Sequence, residues 1–290
     1  MTSPLRPRRS VLYVPGSNAR AIEKARELPA DALILDLEDA VAPDVKEQAR
    51  RRVCEAVCGR GFGDREIVVR INALSTAWGE ADLDAALQAA PDGILIPKVS
   101  GAGDLCAVEA RVSRAGIALW AMIETPRAIV DIASIAGAGG RLACLVMGTN
   151  DLIKDMRGVH MPSRENLAAA LGLSVAAARA FGVSIIDGVY NDISDQQGFR
   201  ENCRQARAFG FDGKTLIHPS QIACCNEIFA PSPQDLESAR RVIAAFERPE
   251  NAGKGAIALD GRMVERLHDD MARETVALAD LIEARSASAH

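Results

Sequence analysis

ALWAMIETPRAIVDIASIAGAGGRLACLVMGTND (118–151) is the stretch that decides the fold. Two runs within it, 118–125 and 144–151, are apolar almost to their last residues. A strand with one wet face alternates apolar and polar residues, whereas a parallel strand buried on both faces does not. Between the runs, 126–137 reads as an amphipathic helix. GAGG (137–140) follows that helix rather than a strand, so it reads as a helix stop and not as a phosphate loop. The whole is one βαβ unit, and each of its strands ends beside an acid, Glu124 or Asp151.

The same pattern extends both ways. Further continuous runs are VLYVPG (11–16), ALILDLED (32–39), EIVVRIN (66–72), GILIPKV (93–99), SIIDGVY (184–190) and GKTLIHP (213–219). Helical segments are expected over 17–28, 44–58, 78–90, 102–115, 163–181 and 195–209, with Ser17 or Asn18 capping the first and Asp44 the second. Eight βα units without a large break predict an α/β fold, a (β/α)8 TIM barrel. A doubly wound sheet is the weaker alternative, because the first turn is PGSN and carries neither GxGxxG nor GxxxxGK[ST]. After residue 230 the pattern changes. A helix over 234–247, a Gly-rich hairpin-like ENAGKGAIALDGRM (250–263) and a last helix over 263–284 follow. We therefore expect a barrel over 1–230 and a C-terminal helical and hairpin extension over 231–290, packing on a neighbouring subunit.

Composition narrows the function classes. The 290 residues are 48% hydrophobic and 25% charged, with a net charge of −5. This balance argues against nonspecific nucleic-acid binding, which needs a basic surface. No apolar run approaches the roughly 18 residues of a membrane span. The opening MTSPLRPRRSVLYV lacks the apolar segment of a secretory signal. The seven cysteines form no CxxC pair or Cys/His box, so they read as reduced, small apolar residues rather than zinc ligands. A cytoplasmic location is expected.

In a barrel the C-terminal strand ends face the active site. Here they carry Asp36, Glu38 and Asp39, then Arg70 and Asn72, Lys98, Glu124, Asn150 and Asp151, Asp187, and His218. One reading is a set of structural ion pairs plugging the barrel mouth. The other is a metal site. Glu124 and Asp151 lie on neighbouring strands, about 4.8 Å apart. Two oxygen donors without His or Cys suit Mg²⁺, or Mn²⁺, better than Zn²⁺. Arg70 has the planar fork that grips a carboxylate. A metal with an arginine could hold a 2-oxo acid and stabilise an enolate. Lys98 reads as an ion-paired residue rather than a Schiff-base lysine, and His218 as a hydrogen-bonded strand-end residue. No GxSxG turn supports a serine nucleophile.

Taken in order, RRSVLYVPGSNARAIEKA, LILDLEDAVAPDVKEQAR, VVRIN, GILIPKV, AMIET, MGTNDL, GKTLIHPSQI and LDGRMVE resemble the citrate lyase β-subunit-like (CitE-like) proteins over about residues 8–284. These belong with the HpcH/HpaI aldolases in the pyruvate/phosphoenolpyruvate TIM-barrel superfamily. The resemblance implies a Mg²⁺-dependent carbon–carbon lyase acting on a short 3-hydroxyacyl-CoA, with a 2-oxo acid as the other product, in a homotrimer. A malyl-CoA-type thioesterase and a noncatalytic 2-oxo-acid-binding subunit are the alternatives. It implies Glu124 and Asp151 as metal ligands, Arg70 as the substrate-carboxylate residue, and Gly148 and Thr149 as a backbone cradle for the acid. Glu38 and Asp39 would stand near the metal. Glu265, where many relatives carry Asp, would be the proton donor or acceptor reaching a neighbour's site, with Asp260 a weaker candidate. The strand-six motif is commonly GAED in the family; here it is GTND, with Asn150 in place of the acid. Arg20 and Lys24 on the first helix are candidates for CoA phosphates.

Overall fold

A computed structural model describes residues 6–112 and 116–288. The chain divides into two compact units, one over 8–229 and one over 230–288 together with residues 6 and 7.

The first unit is a closed barrel of eight parallel strands in sequence order. The elements are β1 (Ser10–Pro15), α1 (Ala19–Ala25), β2 (Ala32–Asp36), α2 (Lys46–Gly59), β3 (Glu66–Arg70), α3 (Gly79–Ala89), β4 (Gly93–Ile96), α4 (Ala102–Glu109), β5 (Ala118–Ile123), α5 (Pro126–Val130), α6 (Ile132–Ala136), β6 (Leu142–Met147), α7 (Thr149–Asp155), α8 (Ala168–Phe181), β7 (Ser184–Asp187), α9 (Gln196–Phe209), β8 (Gly213–Leu216) and α10 (Ile222–Phe229). β8 pairs with β1, Val11 opposite Thr215, which closes the cylinder. All eight expected strands are present. Asn18 caps α1, its side chain accepting the Ala21 N–H at 3.0 Å. Asp44 does not cap α2. It lies inside a 3-10 turn, Pro43–Val45, and Val45 occupies the cap position, because Pro43 starts the turn one residue too early. The expected helix over 102–115 stops at Glu109, and residues 113–115 lie outside the described residues.

The lumen is packed with side chains. Val11, Ile34, Val68, Leu95, Trp120, Val146 and Ile186 form its apolar layers, while the alternate residues, such as Leu33, Leu35 and Val69, join the larger core under the helices. At the N-terminal end Arg8 forks onto Glu66 at 2.7 and 2.8 Å and lies over the Trp120 ring. That pair plugs the bottom of the lumen. Outside the lumen, wholly buried Asp187 accepts from Lys214 Nζ at 2.6 Å and from Arg164 Nη1 at 2.8 Å.

The second unit contains α11 (Pro233–Phe246), the hairpin β9 (Ala256–Leu259) and β10 (Arg262–Glu265), and α12 (Arg266–Ser288). Asp260 and Gly261 both take positive φ, as a tight two-residue hairpin turn requires. The hairpin therefore claims Met263–Glu265, and the last helix starts at Arg266 rather than at the expected 263. All seven cysteines are free. Among the described residues, no helix is long and apolar enough to cross a membrane.

Candidate active site

The site begins with a register. Asp36 and Arg70 are Cα partners on β2 and β3, so both side chains point into the lumen at one level. The Arg70 Nε and Nη2 atoms donate to the two Asp36 oxygens at 2.6 and 2.7 Å. Asp36 also accepts the backbone N–H of Glu38 and of Ala40. The guanidinium stacks 4.9 Å from the Tyr13 ring centroid. The sequence-based reading leaves the whole Arg70 fork for substrate; the structure commits one of its two bidentate edges to Asp36. The Nη1 end remains, 2.8 Å from Glu38 Oε2 and 3.6 Å from Asp39 Oδ2. Glu38 Oε2 is buried and out of line for a hydrogen bond from Arg70. Burial pushes its carboxyl up to about 7, against the pull of Arg70.

The second half sits on β5 and β6. Ile123 and Met147 are the last paired residues, and Gly148 N–H donates to Ile123 O at 3.0 Å, so Glu124 and the start of α7 are side by side. Glu124 is 1% exposed, and its Oε1 accepts the Lys98 backbone N–H at 2.6 Å. The Lys98 ammonium lies 2.5 Å from Asp151 Oδ2 and 3.7 Å from Glu124 Oε1. One cation is thus shared by the two carboxylates expected to hold a metal, and the ammonium marks where a positive ion is favoured. Gly148 is required by close approach: a Cβ there would stand 2.4 Å from Glu124 Cβ and 2.7 Å from Glu124 Oε2. Burial raises the Glu124 carboxyl above its ordinary range, partly opposed by Lys98. Among the described residues, no group of three or more His, Cys, Asp or Glu could hold a metal alone. Two carboxylate oxygens fit a hard cation that takes its other ligands from water and substrate.

These groups line one cavity of about 340 Å³, with Asp36, Asp39, Arg70, Glu124, Thr149 and Asp151 in its wall. Sequence reading brings Arg70, Glu124, Gly148, Thr149 and Asp151 to this place. It misses the Asp36 clamp and Tyr13, although Tyr13 alternates with lumen-facing Val11 and could have been found from that period.

The HpcH/HpaI aldolase/citrate lyase profile matches residues 9–219. The chain belongs to this family. It is 51% identical to a (3S)-malyl-CoA thioesterase of Cereibacter sphaeroides over 282 residues, covering 97% of this chain and 98% of that one. It is 36% identical to the citrate lyase subunit beta of Escherichia coli K12, over 95% and 94% of the two chains. Among solved structures, CitE from Mycobacterium tuberculosis in complex with magnesium, acetoacetate and coenzyme A superposes with a TM-score of 0.77 at 32% identity, covering 93% of this chain and 97% of that one.

Within this family frame, several other expected residues find their places. Asn150, which the sequence resemblance sets in the place of an acid, pairs with Asn191 through reciprocal amide bonds of 3.1 and 2.9 Å. His218 caps a 3-10 turn, accepting the Ser220 N–H. Burial draws the Lys98 ammonium down, but Asp151, Glu124 and Glu38 outweigh it and hold it above its ordinary range, the reverse of a Schiff-base lysine. Arg20 and Lys24 are exposed on α1. Glu265 closes β10 in the C-terminal unit, where its backbone N–H donates to His268 Nδ1.

Proposed function

We propose that this chain hydrolyses a short 3-hydroxyacyl-CoA thioester of the malyl type, with Mg²⁺ held by Glu124 and Asp151. The observation that carries the reading is the convergence of those two carboxylates on one cation beside Arg70. Hydrolysis is preferred to carbon–carbon cleavage because the similarity to a malyl-CoA thioesterase is the stronger one. Cleavage to an acyl-CoA and a 2-oxo acid, which the sequence motifs favour, is the second reading, and the same head-group contacts support it.

The roles follow from geometry. The Nη1 end of Arg70 takes the substrate carboxylate, with Asp36 and Tyr13 keeping the guanidinium in place. Thr149 offers its backbone N–H to an oxygen of the acid head; the Gly148 N–H, expected to join it, is already given to Ile123 O, so Gly148 contributes close approach rather than a donor. When bound, the ion supplies Lewis-acid stabilisation of negative charge on oxygen. Glu38, titrating near neutrality, accepts a proton from attacking water; Asp39 orders solvent at the rim. The C–S bond then breaks, the acyl carbon keeps the water oxygen, and a proton passes to the thiolate. Glu265 is the acid expected from a neighbouring copy in a homotrimer, and exposed Met263, Leu267 and Met271 of the C-terminal unit give that copy an apolar face. The enzyme works in the cytoplasm, without nucleic acid or membrane.

The test is purified protein with Mg²⁺ against malyl-, citramalyl-, methylmalyl- and citryl-CoA, with product analysis. Free CoA plus a hydroxy acid is the expected outcome; an acyl-CoA plus a 2-oxo acid selects the second reading. Full turnover by Glu124→Gln refutes the metal assignment under either reading.

A further inference from the structure

A second chamber of about 330 Å³ lies between α7, the loop that follows it, and α9. It shares Thr149, Asn150, Val189 and Asn191 with the main cavity, so the Asn150–Asn191 amide pair stands where the two meet. Its wall includes Arg164 and Asn202, which are 8% and 6% exposed.

Arg164 is held tightly on two sides. Its Nη1 donates to both Asp187 oxygens at 2.8 Å, and its Nε donates to Gln205 Oε1 at 2.8 Å. Its Nη2 is buried with no acceptor, and Asn202 Oδ1 is buried with no donor. Buried polar groups are nearly always partnered, and an unpartnered one on a charged group is the costliest kind. The charges are also unbalanced. Lys214 and Arg164, both buried, face the single carboxylate of Asp187. Asp192, exposed at the rim, is turned onto Ser194 and does not make up the difference.

We propose that this chamber is a second acid-binding subsite, taking the carboxylate of a small hydroxycarboxylic acid on Arg164 Nη2 while the hydroxyl of the acid donates to Asn202 Oδ1. The carboxylate balances the surplus positive charge, and the two groups satisfy both orphaned atoms together. Neither atom is open to solvent, so binding requires the chamber wall to shift. The subsite is distinct from Arg70 and does not depend on which thioester reaction the main cavity performs.

The probe is radiolabelled glycolate in equilibrium dialysis against full-length protein, without CoA ester. Arg70→Gln, altered only in the main cavity, is expected to retain this site. Asn202→Asp places a negative charge of the same size in the chamber wall where the acid must bind and is expected to weaken that binding at least tenfold. Arg164→Lys, which keeps the charge but loses Nη2, is expected to do the same and serves if Asn202→Asp folds poorly. Glycolate binding that disappears in Arg70→Gln, or that is unchanged in Asn202→Asp or Arg164→Lys, overturns the proposal.

Discussion

Replacing Glu38 by glutamine should make the protein more stable at alkaline pH and leave it unchanged in acid. Glu38 is 7% exposed, and its carboxyl is pushed up to about 7 from an ordinary 4.5, mainly by burial. Between those values the folded state binds the proton and the unfolded state does not. Stability therefore falls as pH rises through this window, the opposite of the usual carboxylate case. The interval from 4.5 to about 7 spans about 2.5 pH units, and at about 1.4 kcal/mol per unit the penalty reaches about 3 kcal/mol above pH ~8. Glutamine has the same size and no charge to desolvate. The gap between variant and parent should thus grow from near zero at pH ~4 to about 3 kcal/mol at pH ~8. For a unit of this size that is roughly 6–12 °C in Tm. Melts followed by tryptophan fluorescence, from Trp120 wholly buried in the lumen and from Trp78, measure it at each pH without any substrate. Added Mg²⁺ should narrow the gap, since positive charge near Glu124 favours the ionised form of Glu38. Parallel stability curves for the two proteins from pH 4 to 8 would refute the reasoning.

Three other expectations concern the carboxylates and their partners. Gly148→Ala drives a Cβ into Glu124, so Mn²⁺ binding measured by electron paramagnetic resonance should weaken by about 5- to 150-fold, as overpacking of about 1–3 kcal/mol implies; unchanged binding would show that Gly148 is not needed for the site. Lys98→Met removes the ammonium shared by Glu124 and Asp151; because the Lys98 side chain is 44% exposed, the gain in Mn²⁺ affinity should be modest, up to about fivefold, and a loss of affinity counts against the shared position. Asp187→Asn strands two buried cations and should lower stability in urea by about 3–5 kcal/mol near pH 7. Burial pushes the Asp187 carboxyl up, but Lys214 and Arg164 more than reverse this and hold it below its ordinary range. Its contribution is therefore full above pH ~4 and is lost in stronger acid, so the difference from the parent should shrink there; a constant difference contradicts that account.

The barrel was legible because parallel strands buried on both faces leave an uninterrupted apolar run, and eight such runs at even spacing have few other solutions. The meeting of Glu124 and Asp151 was legible for a related reason: an acid closing an apolar run has to be explained. What sequence does not carry is the partner across the sheet. Asp36 sits in LDLED among three acids, and nothing in that string says that it, rather than Glu38 or Asp39, faces Arg70. The choice is made by strand register, with Asp36 opposite Arg70, and register depends on the closure of the whole barrel. The Asp44 cap failed on a local competition of the same kind, because Pro43 opened a 3-10 turn that took the position. The Arg164 cluster was missed because its cation comes from a loop far from the strand that holds its acid, and no periodicity links them.

Register also decides the electrostatics of the main cavity. Asp36, Glu38, Asp39, Glu124 and Asp151 face Arg70 and Lys98, with Lys46 also attracting the first three, so the carboxylates outnumber the cations. An anionic acid entering that field meets net repulsion, and the Nη1 end of Arg70 alone does not reverse it. Either of two changes lowers that repulsion: a divalent charge between Glu124 and Asp151, which leaves Glu38 ionised and able to take a proton from water, or, in more acid solution, a proton on Glu38, which removes it as the base. The paired carboxylates that invite a cation are then the requirement for productive binding, because the mouth of the barrel must lose negative charge before it can accept a carboxylate. An acid ligand should accordingly bind more tightly as pH falls toward 6 and as Mg²⁺ is raised. Glu38→Gln should keep the dependence on Mg²⁺ while losing the dependence on pH.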